Sequence, residues 1–276
     1  MRQISHRRFV GQNLMLRATF TSLLACGLAL GAALNNRFYA QDKPATARPG
    51  DLETSRHAGA SVPGHRTLRI EGWTVHVSDE LRRSDSAATA AALRLLEAQL
   101  KKVVRVIPPE PRSLLRKVPI WLSPLPKGFK PTGEYHPDVG WLKTHDRDPA
   151  MAKAIQFTNI PIFAAEVKRM PMLVLHELAH AYHDRVIGFD EPRIVKAYEQ
   201  AVQSGTYDRV EEASTGTMKR AYALTDHKEY FAELTESYFG ANDFFPFNRA
   251  QLQRHDPAMY ELLGELWKVT DPARAN

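Results

Sequence analysis

One stretch of the sequence decides how this chain folds and what chemistry it can support: Met172-Leu173-Val174-Leu175-His176-Glu177-Leu178-Ala179-His180-Ala181-Tyr182-His183. Successive residues of an α-helix turn by about 100°, so His176 and His180 lie one turn apart on one face, with Cβ atoms about 5–6 Å apart. Two imidazole rings at that separation can bind one metal ion. The stretch therefore predicts a helix that carries two ligands of a metal site.

Glu177 lies beside the two histidines, within reach of a metal-bound water but off the line of the ligands, which suits a general base. The pattern His-Glu-x-x-His is the zinc-binding signature of metallopeptidases, although so short a motif also arises by chance. We expect the helix to begin at Pro171, a favoured first-turn residue, and to end before Gly188.

A third ligand has to come from elsewhere in the chain. The metzincin extension of the motif requires a glycine at position 183 and a histidine at position 186, whereas this sequence has His183 and Val186. A carboxylate on a second helix is the other common source. Glu229 and Glu233 are four residues apart, so they share a helix face, and either could bind zinc while the other orients a ligating histidine.

The segment Glu-Tyr-Phe-Ala-Glu at 229–233, downstream of His-Glu-x-x-His and preceded by Tyr222, resembles the catalytic domain of anthrax lethal factor and the related Pro-Pro endopeptidases. These proteins are gluzincin-type zinc metallopeptidases with a zincin-like fold. The specific resemblance covers about residues 170–240. It does not carry over the Pro-Pro preference, because the determinants of that preference have no match in this sequence.

The resemblance implies a role for each matching residue. His176, His180 and Glu229 would bind one Zn²⁺, Glu177 would be the general base, and Tyr222 would stabilise the oxyanion.

Three further expectations follow from the same resemblance. Glu233 would orient a ligand without binding the metal. An N-lobe strand at 154–159 would pair with an extended substrate. His183 stands where lethal factor has an acidic residue, and we expect it either beside the metal ligands or in the cleft lining.

Simpler interpretations compete with these roles. Asp226 and Glu229 also form a capping-box pattern, which would use Glu229 only to begin a helix. His183 could equally be an ordinary surface histidine, Glu236 a solvated helix residue, and Tyr222 a strand tyrosine.

The pattern of elements predicts an α+β, zincin-like fold: an N-terminal lobe with a small mixed sheet and a helix, the active-site helix, and a mainly helical C-terminal lobe. Apolar spacing, caps and turn residues predict these elements. They are a hairpin at 68–77, a helix at 84–106, strands at 118–122 and 154–159 around an irregular loop at 124–150, a helix at 192–203, a hairpin within 207–224, a helix at 226–239, and two helices after Asn248 and Asp256.

Charge and cysteine content narrow the class of protein. The net charge is +6, but residues 1–40 hold five basic residues and no acidic one, which leaves +1 for residues 41–276. A domain so close to neutral lacks the electrostatic footprint of a nucleic-acid partner. The only cysteine, Cys26, lies in the same N-terminal segment, so the rest of the chain can form neither a disulfide nor a thiol nucleophile.

The N-terminus is typical of a secretory signal, with basic residues before the apolar run 18–34. We expect a signal peptide at 1–40, a flexible leader at 41–64, and one catalytic domain at 65–276, with lobes at about 65–187 and 188–276. An uncleaved anchor and a lipid anchor at Cys26 are the alternatives; otherwise no membrane association is expected of the mature form.

These features together predict a secreted or periplasmic zinc metallopeptidase that acts on a peptide or protein substrate. One rival hypothesis is an extracellular binding module that keeps a peptidase fold without activity. Another is a helical structural protein in which the motif is accidental. The sequence does not determine the natural substrate or the oligomeric state.

Overall fold

A five-stranded mixed sheet forms one side of the molecule in the computed structural model, which describes residues 62–270. Its strands lie in the order β1, β2, β3, β5, β4. The outer pairs β1–β2 and β5–β4 are antiparallel and the inner pairs are parallel. The strands are β1 (His65–Ile70), β2 (Trp73–Ser78), β3 (Ile120–Leu122), β4 (Gly133–Tyr135) and β5 (Ile155–Phe157).

The inner strands β3 and β5 are buried at every residue, as expected for parallel strands covered on both faces. β1 and β2 join through Glu71 and Gly72, both with positive φ, which confirms the predicted hairpin. β5 lies between β3 and β4, so both of its edges are already paired. The expectation that the strand at 154–159 would pair with a substrate is therefore wrong, and the outer strand is β4.

Ten α-helices complete the described part of the chain, together with a small hairpin of β6 (Val210–Glu212) and β7 (Thr217–Lys219). The helices are α1 (Asp79–Ser84), α2 (Ser86–Val106), α3 (Pro109–Leu115), α4 (Val139–Thr144), α5 (Phe163–Arg169), α6 (Leu173–Tyr182), α7 (Pro192–Ser204), α8 (His227–Phe239), α9 (Arg249–His255) and α10 (Pro257–Leu266).

Local sequence signals set most of these boundaries. The Asp85 side chain accepts a hydrogen bond from a backbone N–H in the first turn of α2, and Asp226 does the same for α8. Gly205 ends α7 in the left-handed conformation. The architecture is α+β with a small mixed sheet, as predicted, whereas the short helices α1, α3, α4 and α5 were not predicted.

α6 is the central element of the domain. It packs against α2 and β4 on the side of the sheet and against α8 on the other side. Every residue of α6 except His180 is buried, as is typical of a helix in a protein core. Behind it, Tyr182 stacks on Trp267 at 4.2 Å between ring centroids. Such packing on all sides fixes the position of the side chains that α6 presents.

The predicted signal peptide, most of the leader and Cys26 lie outside the described residues. Within residues 62–270, no helix is long and apolar enough to cross a membrane.

Candidate metal centre

α6 presents His176 and His180 towards α8, one helical turn apart. Their rings meet edge to face with centroids 4.8 Å apart, and their Nε2 atoms are 3.1 Å apart. The two nitrogens therefore converge on one point, as the spacing in the sequence predicted.

Glu229, in the first turn of α8, supplies an oxygen at that point. Its Oε2 lies 3.1 Å from His176 Nε2 and 3.4 Å from His180 Nε2. Two imidazole nitrogens and one carboxylate oxygen form a donor set that zinc commonly uses in catalytic sites. Because these atoms converge within 4.8 Å of one another, the three residues fit a metal ion.

The first turn of α8 also explains how Glu229 is oriented. Asp226 caps the helix by accepting hydrogen bonds from the N–H groups of Lys228 and Glu229. The carboxylate of Glu229 is directed at the histidines. The capping interpretation is thus right for Asp226, while the Glu229 side chain contributes to the cluster.

Charge around the cluster favours a cation. Burial opposes ionisation of Glu229, but hydrogen bonds with His176 and His180 hold its pKa well below the ordinary range. Burial also opposes protonation of His176, yet its contacts with Glu229 and Glu236 raise its pKa well above the ordinary value. Positive charge at this point is therefore stabilised by the surrounding carboxylates.

Glu236 orients His176 from behind. It is fully buried on α8, and its Oε1 accepts the N–H of His176 Nδ1 at 2.8 Å. Glu233, expected in that role, lies farther away, with Oε1 at 3.7 Å from Nδ1. The interpretation of Glu236 as a solvated residue is wrong; its position seven residues after Glu229, two helical turns along, is the signal that could have identified it.

Glu177 lies beside the cluster and is almost fully buried. Burial raises the pKa of its carboxyl group above the ordinary value, while the backbone N–H of Tyr135 donates a hydrogen bond that opposes the increase. A carboxylate with a raised pKa and a fixed orientation has the properties of a general base.

Tyr222 faces the same cleft from a 3-10 turn, Tyr222–Leu224, and is half exposed. The hairpin predicted over 207–224 is present as β6 and β7, but it ends at Lys219, so Tyr222 lies after it and is not a strand residue. Burial of the hydroxyl and the nearby Glu229 raise the pKa of Tyr222 to about 12, which keeps the hydroxyl protonated as a donor.

His183 lies outside the cleft and is fully buried, so the surface interpretation is wrong. Its ring contacts Phe231 and Phe189 at centroid distances of 4.7 and 5.1 Å. Neither ring nitrogen has a hydrogen-bond partner among the described residues. Burial and the neighbouring His227 lower the pKa of His183 to about 3, so the residue is a neutral core histidine and not a cleft residue.

Two cavities meet at the cluster, and five residues line both of them: Thr132, Gly133, His176, Glu177 and Tyr222. The first, of about 350 Å³, is called here the Phe189 cavity. The second, of about 420 Å³, is called the Arg169 cavity. Together they form a groove along β4. The Phe189 cavity is also lined by Glu134, Tyr135, Pro137, His180, Phe189, Asp226, Lys228 and Glu229.

Comparisons of the chain with protein-family models, with curated proteins and with solved structures found no match. The interpretation of this centre therefore depends on its own residues and geometry.

Proposed function

We propose that this protein is a zinc-dependent peptidase of the gluzincin type. The observation that carries the proposal is the convergence of His176 Nε2, His180 Nε2 and Glu229 Oε2 on one point in the groove, with the Glu177 carboxyl group beside them. Zinc bound by these residues would polarise a substrate carbonyl and lower the pKa of water to about 7.

Three side chains would have the other roles in the reaction. Glu177 would accept the proton of the attacking water and then deliver it to the leaving amine. The Tyr222 hydroxyl would donate a hydrogen bond to the oxygen on which negative charge develops. Glu236 would keep the Nδ1 proton of His176 in place, so that the Nε2 lone pair remains available to the metal.

β4 is the element suited to bind an extended substrate. It pairs with β5 on one side, and among residues 62–270 no strand pairs with its other side. Its residues line the groove that contains the cluster. A peptide added to this edge would gain backbone hydrogen bonds and lie across the metal centre.

The proposal is tested by the metal content and the cleavage activity of the purified protein. We expect near-stoichiometric zinc and hydrolysis of members of a peptide library. The variant Glu177→Gln should keep its zinc and lose about 10²–10⁴-fold in kcat. A sample that binds no zinc would exclude the proposal, and zinc binding without cleavage of any peptide would instead support a non-catalytic module.

We also propose that the protein is exported, and the N-terminal sequence is the support for this part of the proposal. The basic and apolar pattern of residues 1–40 supports a secreted or periplasmic location. Detection of the processed chain outside the cytoplasm, by N-terminal sequencing of the secreted material, tests it.

A further inference from the structure

The Arg169 cavity, on one side of the metal cluster, is lined by more carboxylates than cations. Five acidic residues line it, and Arg169 is the one lysine or arginine among its lining residues; the five are Glu166, Glu177, Glu212, Glu233 and Asp243. Arg169 donates to Glu166 at 2.8 Å and to Asp243 at 2.9 Å. Outside the cavity, Lys219 pairs with Glu212. Acidic side chains thus outnumber the lysine and arginine side chains in and beside the cavity.

Two of these carboxylates are deeply buried and incompletely paired. Glu233 is 1% exposed and Asp243 is 2% exposed. Glu233 Oε2 and Asp243 Oδ1 have no hydrogen-bond partner among the described residues. Buried polar atoms are normally satisfied, so these two residues leave unmet hydrogen-bonding capacity beside one cavity.

Part of the wall is apolar, with Met170, Leu173, Phe244 and Pro131 beside the carboxylates. A long side chain with an aliphatic stem and a cationic end matches such a lining, because its methylene groups pack on apolar surface while its charged end reaches the acids. Lysine and arginine have this form. A purely apolar side chain would bring no positive charge to the acidic part of the wall.

The direction of β4 determines which substrate residue would enter. Pro131, just before the strand, lines only the Arg169 cavity, whereas Tyr135 at the end of the strand and Pro137 after it line only the Phe189 cavity. An antiparallel peptide on this edge runs in the opposite direction. Its C-terminal half therefore lies over the Arg169 cavity.

From these observations we propose that the Arg169 cavity receives a lysine or arginine side chain of the substrate, on the residue that follows the scissile bond. The inference rests on the proposed peptidase function and adds its substrate class: peptides with a basic residue at that position.

The test uses peptides that differ only in the residue after the scissile bond, which is lysine, arginine, norleucine or glutamate. For the zinc-loaded wild-type protein we expect kcat/KM to be at least about tenfold higher for lysine or arginine than for norleucine, and lowest for glutamate. Asp243→Asn and Glu166→Gln should each reduce the ratio of lysine to norleucine, with little change for norleucine itself. Glu110→Gln is the control, because Glu110 is an exposed residue of α3 that lines neither cavity, and it should leave the ratio unchanged.

A binding measurement separates this inference from the peptidase proposal. In the Glu177→Gln variant, calorimetric titration should show tighter binding of the lysine peptide than of the norleucine peptide, and addition of Asp243→Asn should remove the difference. Cleavage without a preference for a basic residue, or with the preference only before the scissile bond, would overturn the cavity assignment and leave the peptidase proposal intact. If the lysine peptide bound more tightly but the zinc-loaded wild-type protein cleaved none of the peptides, the cavity assignment would stand and peptidase activity would be excluded.

Discussion

Glu236 accepts the Nδ1 proton of His176 at 2.8 Å, in a part of the core where neither residue is appreciably exposed. This contact joins α8 to α6 behind the metal cluster. It fixes both the tautomer and the ring orientation of His176, because a ring whose Nδ1 carries the proton has its lone pair on Nε2.

The first prediction concerns this contact. Glu236→Gln keeps the size of the side chain but removes its charge, so we expect about a tenfold to 100-fold loss of zinc affinity, measured by competition with a chelator. Glu233→Gln is the matched control, because Glu233 lies 3.7 Å from the same nitrogen and should have the smaller effect. Equal losses in the two variants would contradict the role of Glu236.

The second prediction concerns the Tyr222 hydroxyl. Tyr222→Phe removes a donor for the oxyanion, and we expect kcat to fall about 10²–10³-fold, with zinc content and KM little changed. Tyr198→Phe serves as the control, since the Tyr198 hydroxyl donates to the Leu224 carbonyl and not into the groove. If Tyr222→Phe changed KM alone, Tyr222 would be a substrate-binding residue.

The third prediction concerns Gly133 in β4. A Cβ atom built at this position would lie 2.6 Å from Cε1 of Phe157, a fully buried ring in the next strand. Gly133→Ala should therefore destabilise the fold by about 1–3 kcal/mol, measured by urea unfolding. Phe157→Leu should restore part of this loss in the double variant, and simple additivity of the two changes would show that the ring is not the obstacle.

The fourth prediction concerns His183 and acid stability. The folded protein holds the pKa of His183 at about 3, below the ordinary histidine value of 6.5, so the unfolded chain binds more protons between these values. Stability from this residue is present above about pH 6.5 and is lost as the pH falls towards 3, by about 5 kcal/mol in total.

His183→Leu should accordingly flatten the dependence of the unfolding free energy on pH in that interval. An unaltered slope in His183→Leu would show that His183 is not the group responsible.

The sequence could predict those parts of the site that lie within one helix. The spacing of His176 and His180 fixes their shared face, and the caps at Asp226 and Gly240 define the helix that carries Glu229. These are local properties, in which each residue's environment follows from a few neighbours in the chain.

Long-range contacts were the features that the sequence did not reveal. The spacing of Glu236 from Glu229 indicates a shared helix face but not burial, because its burial depends on α6 packing against α8. The role of β4 was hidden for a similar reason: three residues in an irregular loop form a strand only because β5 offers an edge. The rings of Phe189 and Phe231 enclose His183, and Phe231 is far from both of the other residues in sequence.

The end of α6 has a mechanical consequence. The helix continues into a single π-helical turn, His183–Ile187, which carries Asp184. That carboxylate accepts hydrogen bonds from the Tyr135 hydroxyl at 2.7 Å and from Lys153 Nζ at 2.5 Å. The Asp184 side chain thus links β4, which lines the groove, to the end of the helix that carries His176 and His180. We therefore expect β4 and this helix to move together.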